Sequence, residues 1–127
     1  MPRFSKKSAD KLGSTDERLI RVFTEVIKHF DCTILEGIRS RARQEQLVAE
    51  GKSKTMNSKH LLGKAVDVAP YPIDWNDRER FTYFAGYVMG IAAKMGIKLR
   101  WGGDWDRDTQ VSNNSFDDLP HFEIYGD

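Results

Sequence analysis

Between positions 19 and 30 the apolar residues fall at helical spacing: Leu19, Ile20, Val22, Phe23, Val26, Ile27 and Phe30 share one broad face. Ser14 and Glu17 fit a capping box at the start of this helix, which is expected to end near His29–Asp31. His29 then belongs to a last helical turn rather than to a ligand set. Cys32-Thr33-Ile34-Leu35 has the β-branched and apolar content of a short strand, ending at Gly37. Ser40 can cap a second helix, from Arg41 to about Glu50, that Gly51 closes. Residues 52–59 are polar and basic without periodicity and read as a loop. From Lys64 apolar and polar residues alternate, which predicts a strand over 65–69. In it Ala65 and Asp67 share one face, and Val66 and Val68 the other. Pro70 and Pro72 break the ladder. Asn76 can cap a long helix from about Asp77 to Met95, rich in Phe81, Phe84, Tyr87, Val88, Met89 and Ile91 and ended by Gly96. Ile97–Trp101 and His121–Tyr125 read as two more strands, with a long polar loop over Gly102–Ser115 between them. The first 13 residues read as a lightly structured basic arm.

Helices and strands mix here without regular β-α-β alternation. That order predicts an α+β fold: a small, mostly antiparallel sheet with helices packed on one side. No repeat and no linker tract divides the chain, and 127 residues suit one domain over 1–127. Hydrophobic residues are 39% and charged residues 31% of the total, ordinary for a globular protein. A net charge of +1 argues against binding nucleic acid by bulk electrostatics. No apolar run is long enough to cross a bilayer. The basic N-terminus is not followed by an apolar stretch, so no secretory signal is expected. Cys32 is the single cysteine, which leaves no internal disulfide and no thiolate cluster. It reads as a small buried hydrophobe in a chain that folds in a reducing cytoplasm.

The candidate chemistry lies in Ser58-Lys59-His60-Leu61-Leu62-Gly63-Lys64-Ala65-Val66-Asp67. An imidazole and a carboxylate seven positions apart bracket a glycine, and the small Ala65 leaves space beside Asp67. In the last strand, alternation puts His121 and Glu123 on one face and Phe122 and Ile124 on the other. His60, Asp67 and His121 together make three ligands with a fourth tetrahedral position open, the pattern of a catalytic zinc site. Nitrogen ligands favour zinc or a neighbouring transition metal over Mg²⁺ or Ca²⁺. Asp118, three residues before His121, can bring a carboxylate to the same water as general base, and Asp117 is a neighbouring candidate. Glu123 can orient a ligand from behind. On spacing alone, a His and an Asp with a distant second His also fit a surface pair.

The S-x-H-x-x-G-x-A-x-D element, followed much later by Asp118-x-x-His121, resembles the zinc peptidases of the D-Ala-D-Ala carboxypeptidase and VanY type. Within that group the chain resembles the phage L-alanyl-D-glutamate endopeptidases, small single-domain endolysins. Gly37-Ile38-Arg39-Ser40 with Gln44, Lys98–Trp105 and the Phe4–Ser8 start extend the likeness over nearly the whole chain. The resemblance implies a hedgehog/D,D-peptidase-like fold and Zn²⁺ held by His60, Asp67 and His121, with Asp118 as base. It also implies Arg39 as a cation near the reacting carbonyl and Ser58 as a substrate-contacting hydroxyl. Many relatives carry Glu before the last His; this chain has Asp, as the endolysin branch does.

The implied reaction is hydrolysis of the L-alanyl-D-glutamate bond in bacterial peptidoglycan stem peptides by a monomer. The enzyme would wait in the host cytoplasm until lysis and reach the wall with a separately encoded holin; no nucleic acid and no membrane is an expected partner. Two other readings remain open: a D,D-carboxypeptidase or dipeptidase acting on terminal D-Ala, and a zinc-containing binding module that has lost catalysis. Arg39, Arg41, Arg43, Lys52, Lys54, Lys59 and Lys64 either steer anionic stem peptides or form a solvated face. The Trp101–Trp105 segment either lines the cleft or packs in the core. The Asp104–Asp108 loop reads as solvated.

Overall fold

One antiparallel sheet of four strands organises the chain, in the order β1-β2-β4-β3. The strands are β1 (Cys32–Glu36), β2 (Ala65–Pro70), β3 (Leu99–Trp101) and β4 (His121–Ile124). Helices α1 (Lys6–Gly13), α2 (Glu17–Val26), α3 (Arg41–Ala49) and α4 (Arg78–Lys94) surround it. The computed structural model describes residues 2–53, 55–112 and 117–126. Lys54 of the basic cluster, residues 113–115 of the expected long loop, Met1 of the expected arm and Asp127 lie outside the described residues.

The alternation in β2 and β4 divides the sheet into two unlike faces. Val66, Val68, Phe122 and Ile124 are fully buried against α2 and α4. Phe122 meets Phe23 of α2 edge-on at 5.5 Å and Phe84 of α4 at 6.2 Å. Each such side chain contributes on the order of 1.5–3 kcal/mol by leaving water. The expected α+β arrangement, with helices covering one side of the sheet, is the one observed. The opposite face carries Asp67, His121, Glu123 and Arg100.

Several local expectations need correction. The N-terminal segment is not a loose arm: Ser5 caps α1 by accepting the Ser8 N–H at 3.1 Å, and Leu12 is buried. The cause is tertiary. β1 is an edge strand whose outer N–H and C=O groups need partners. Ser8 Oγ accepts the Ile34 N–H at 3.1 Å, Lys11 Nζ donates to Leu35 O at 3.1 Å, and Ser14 Oγ accepts the Ile38 N–H at 3.0 Å. Ser14 is therefore occupied, and Asp16 caps α2 instead, accepting from Arg18 N at 2.8 Å. Asp77 rather than Asn76 caps α4. Residues beyond Val26 form a looser turn to Phe30, and His29 pairs with Glu25 at 2.8 Å on the surface, away from the open face.

Cys32 is 4% exposed. Burial, with the Asp31 carboxylate adding to it, pushes its thiol up to about 12. An upward shift makes the thiolate scarcer than in a free thiol, about one in 10⁴ at pH 8. The folded protein should therefore leave a disulfide-exchange thiol reagent unreacted at pH 8 and consume one equivalent once denatured. Rapid labelling of the native chain would contradict this burial.

Candidate active site

The site is built on the pairing of β2 with β4. Their register sets Asp67 opposite His121 and Ala65 opposite Glu123, so all four lie on the open face. His60 comes from a 3-10 turn, Lys59–Leu62, between α3 and β2. Ser58 caps this turn by accepting the His60 N–H at 3.2 Å. Gly63 ends it with φ +70°, a left-handed conformation that glycine adopts without strain. The Asp16 N–H donates to Gly63 O at 2.8 Å and the Arg39 N–H to His60 O at 2.9 Å, which fastens the turn to α2 and to the end of β1.

These elements bring His60, Asp67 and His121 together. His60 Nε2 lies 3.1 Å, and His121 Nδ1 3.3 Å, from the same Asp67 oxygen, Oδ1. The imidazole rings sit 5.0 Å apart, edge to face. The remaining ring nitrogens define the chemistry. His60 Nδ1 meets Gly37 O at 2.9 Å and His121 Nε2 meets a Glu123 oxygen at 2.8 Å. A carbonyl and a carboxylate only accept, so both of these nitrogens donate. In neutral imidazoles the other two nitrogens then turn lone pairs towards the carboxylate oxygen. Three electron-rich atoms converging in this way suit a cation, and these three residues could hold a metal ion. Without one, burial opposes charge on His121, but hydrogen bonds to Asp67 and Glu123 outweigh it and push the imidazole up to about 9. Burial alone would raise the Asp67 carboxyl, yet the two histidines hold it well below the usual range.

Two further carboxylates flank this group. Glu123, 5% exposed, is held down to about 2 against its own burial by His121 and by Arg100, whose Nη2 lies 2.7 Å away. Asp118 Oδ2 lies 4.0 Å from His121 Nδ1, and burial followed by the Asp67 charge raises its carboxyl. Gly102 determines where Asp118 stands. Its N–H donates to His121 O and its C=O accepts from the Asp118 N–H, both at 2.8 Å. A Cβ at Gly102 would lie 2.0 Å from the Asp118 carbonyl oxygen, so no side chain fits. Asp117 points elsewhere, pairing with Arg78 at 2.7 Å.

Known proteins resemble this chain in sequence and in fold. The family model for the phage L-alanyl-D-glutamate peptidases matches residues 1–125. The chain belongs to that family. It is 37% identical over 112 residues to the L-alanyl-D-glutamate peptidase of Escherichia phage T5, with 82% of each chain covered. The crystal structure of the L-Ala D-Glu endopeptidase ChiX from Serratia marcescens superposes with a TM-score of 0.80 at 31% identity, covering 98% of this chain and 91% of that one. The D,D-pentapeptidase VanY, solved with Zn(II), shares the fold at TM-score 0.54 and 20% identity, over 88% of this chain and 73% of its own.

In this member of the phage L-alanyl-D-glutamate peptidase family, the site opens into a cavity of about 510 Å³. Arg39, Ser58, Lys59, Arg100, Trp105 and Asp118 are among its lining residues. The Arg39 side chain is 8% exposed, and its Nε and Nη2 grip the two Glu36 oxygens at 2.7 Å each. Its Nη1 donates to Gln44 Oε1 at 2.7 Å, and Nη2 lies 3.7 Å from Asp67 Oδ2. A β-bulge between Ile34 and Glu36 sets Glu36 opposite Asp67 and so aims it at Arg39. The two indoles divide: Trp101 packs in the core and donates to Leu119 O at 2.7 Å, whereas Trp105 lines the cavity 5.3 Å from the His121 ring. Arg41 and Arg43 sit on the exposed side of α3.

Sequence reasoning assigned no role to three supporting residues, although Gln44 and Arg100 fall within the family likeness. Gln44, fully buried, links Arg39 to Ser53 Oγ at 2.8 Å and Thr55 O at 2.6 Å. Glu36 and Arg100 anchor Arg39 and Glu123. Gln44 alone carried a signal, as an amide three residues before Leu47 on the side of α3 that faces inward. Asp104, Asp106 and Asp108 form an acidic group, with their oxygens accepting N–H groups of the same loop.

The Arg100–Glu123–His121 chain predicts a stability effect. Glu123→Ala leaves a half-buried guanidinium and a buried imidazole without their shared acceptor. It should cost about 1–3 kcal/mol in urea denaturation of chelator-treated protein. A loss below about 0.5 kcal/mol would contradict the network.

Proposed function

We propose that this chain is a zinc-dependent peptidoglycan hydrolase that cleaves the L-alanyl-D-glutamate bond of cell-wall stem peptides. One observation carries the reading: two imidazole nitrogens and a carboxylate oxygen converge beneath an open cavity, with a further carboxylate at hand. Membership of the peptidase family supports the bond cleaved, and the relatives from Escherichia phage T5 and Serratia marcescens are named as peptidases of that bond. The mixed nitrogen and oxygen donor set favours Zn²⁺ over Mg²⁺ or Ca²⁺. Three protein ligands leave one position for water or substrate. Bound by His60, Asp67 and His121, zinc would supply Lewis acidity towards the scissile carbonyl and lower the pKa of water.

The chain's own residues do the rest. Asp118 takes the proton of the attacking water and returns it to the leaving amine as the C–N bond breaks. Its place 4.0 Å from His121 Nδ1 favours this role, because a carboxylate there can reach water bound beside the three ligands. Arg39 stabilises negative charge on the carbonyl oxygen. Glu36 and Gln44 use three of its N–H groups and leave one on each terminal nitrogen. Ser58 contacts substrate while its oxygen caps the His60 turn, so it couples substrate position to a ligand. Glu123 and the Gly37 carbonyl orient the two imidazoles. The same reading has the enzyme acting as a monomer on the bacterial wall, held in the host cytoplasm until a holin opens the way.

The variants separate binding from chemistry. Asp118→Ala should retain stoichiometric zinc and lose about 10²–10⁴ in kcat on purified peptidoglycan. His60→Ala should lose both zinc and activity. An Asp118→Ala protein that digests walls at a near-normal rate would remove Asp118 as base. Chelation should abolish wall digestion and added Zn²⁺ should restore it; activity that persists without metal would end the zinc reading. Mass spectrometry should find new termini after L-Ala, whereas release of terminal D-Ala alone would point to a D,D-carboxypeptidase.

A further inference from the structure

The cations that line the cavity are not equivalent. Among the described residues they are Arg39, Lys52, Lys59 and Arg100. Arg39 is held by both Glu36 oxygens and Arg100 by Glu123. Lys52 lies 3.3 Å from Glu50, with its side chain 68% exposed. Lys59 is half-buried, and no described carboxylate lies within 4.0 Å of its ammonium. Its Nζ donates to the backbone carbonyl of Ile124 at 3.1 Å, which uses one of three N–H groups. The ammonium is therefore tied to the two segments that carry the imidazoles: its backbone adjoins His60, and its tip rests on the end of β4. It holds a charge beside the cavity that Lys59 lines, with no described carboxylate within 4.0 Å.

We propose that Lys59 is a specificity-determining residue that receives a substrate carboxylate, the free carboxyl of the glutamate on the amine side of the cleaved bond. The inference rests on the peptidase reading above. A glutamate joined through its amine keeps two carboxyls, and whichever one continues the stem, the other stays free and anionic. Arg39 and Arg100 are already paired with carboxylates of the protein, so a further carboxylate meets less net positive charge there. Lys59 needs only to add a partner to its carbonyl anchor, and a charge-assisted hydrogen bond to a half-buried ammonium discriminates strongly against an uncharged amide.

Two synthetic stem peptides test this, identical except that the free glutamate carboxyl is a carboxylate in one and a carboxamide in the other. The wild-type zinc enzyme should prefer the carboxylate by about 10- to 100-fold in kcat/KM. Lys59→Met should bring that ratio to within about threefold of one, and Lys59→Arg should keep most of it. Lys59→Gln carries the same test if the methionine variant does not fold. A purely structural role would lower both rates together and leave the ratio unchanged, and that result overturns the proposal. So does a wild-type enzyme that cuts both peptides equally well, which leaves the peptidase reading standing. A wild-type enzyme that cuts neither overturns that reading, and this inference with it.

Discussion

The antiparallel pairing of Asp67 with His121 is the constraint on which the rest of the molecule depends. It places a carboxylate and an imidazole side by side on the face turned away from the core. The same register puts Val66 and Phe122 on the other face, inside the core. The two requirements cannot be separated, because side chains alternate strictly along a strand. A slip of one residue would bury the carboxylate and expose the phenylalanine. Core packing around Phe122 therefore also aligns the site.

A buried polar cluster is costly unless each of its atoms has a partner. Here the outward nitrogens are satisfied by groups that only accept, Gly37 O for His60 and Glu123 for His121. This holds the rings in orientation and turns their inward nitrogens towards Asp67, with Asp118 4.0 Å from His121 Nδ1. The support then spreads through the fold: His121 to Glu123 to Arg100 on one side, and Arg39 to Glu36 and Gln44 on the other. The loop that follows α3 is drawn in through Gln44, so residues far apart in the chain share one hydrogen-bonded frame.

Close approach of backbone matters as much as side chains. Gly102 reaches both Asp118 and His121 through its own N–H and C=O, at a separation that excludes any Cβ. Asp118 thereby stands at a fixed height above the open face, while its neighbour Asp117 is turned away towards Arg78. The distinction between these adjacent carboxylates is made by the turn that holds them, not by their own chemistry.

Periodicity alone was enough to locate the core helices and the strands at 65–69 and 121–125, since burial on one face imposes period 2 or 3.6 directly on residue type. Alternation gave only the faces on which Asp67 and His121 stand; that His60 joins them rested on the family likeness, because His60 lies in a turn and not on a strand. Other features left no such trace. The first helix has little apolar periodicity and is held by Ser8 and Lys11 along the edge of β1, contacts that exist only once that edge exists. Asp16 and Asp77 took the caps expected of Ser14 and Asn76, because competing oxygens one or two residues apart are separated only by what else they bind. Glu36 and Arg100 look in sequence like ordinary surface residues. What composition and pattern determined was the fold class and the chemical groups available; what the tertiary structure decided was the strand order β1-β2-β4-β3, the bulge that aims Glu36, and the parting of Trp101 from Trp105. Those outcomes depend on pairings between distant segments, and a distant pairing leaves no periodic mark on the residues that make it.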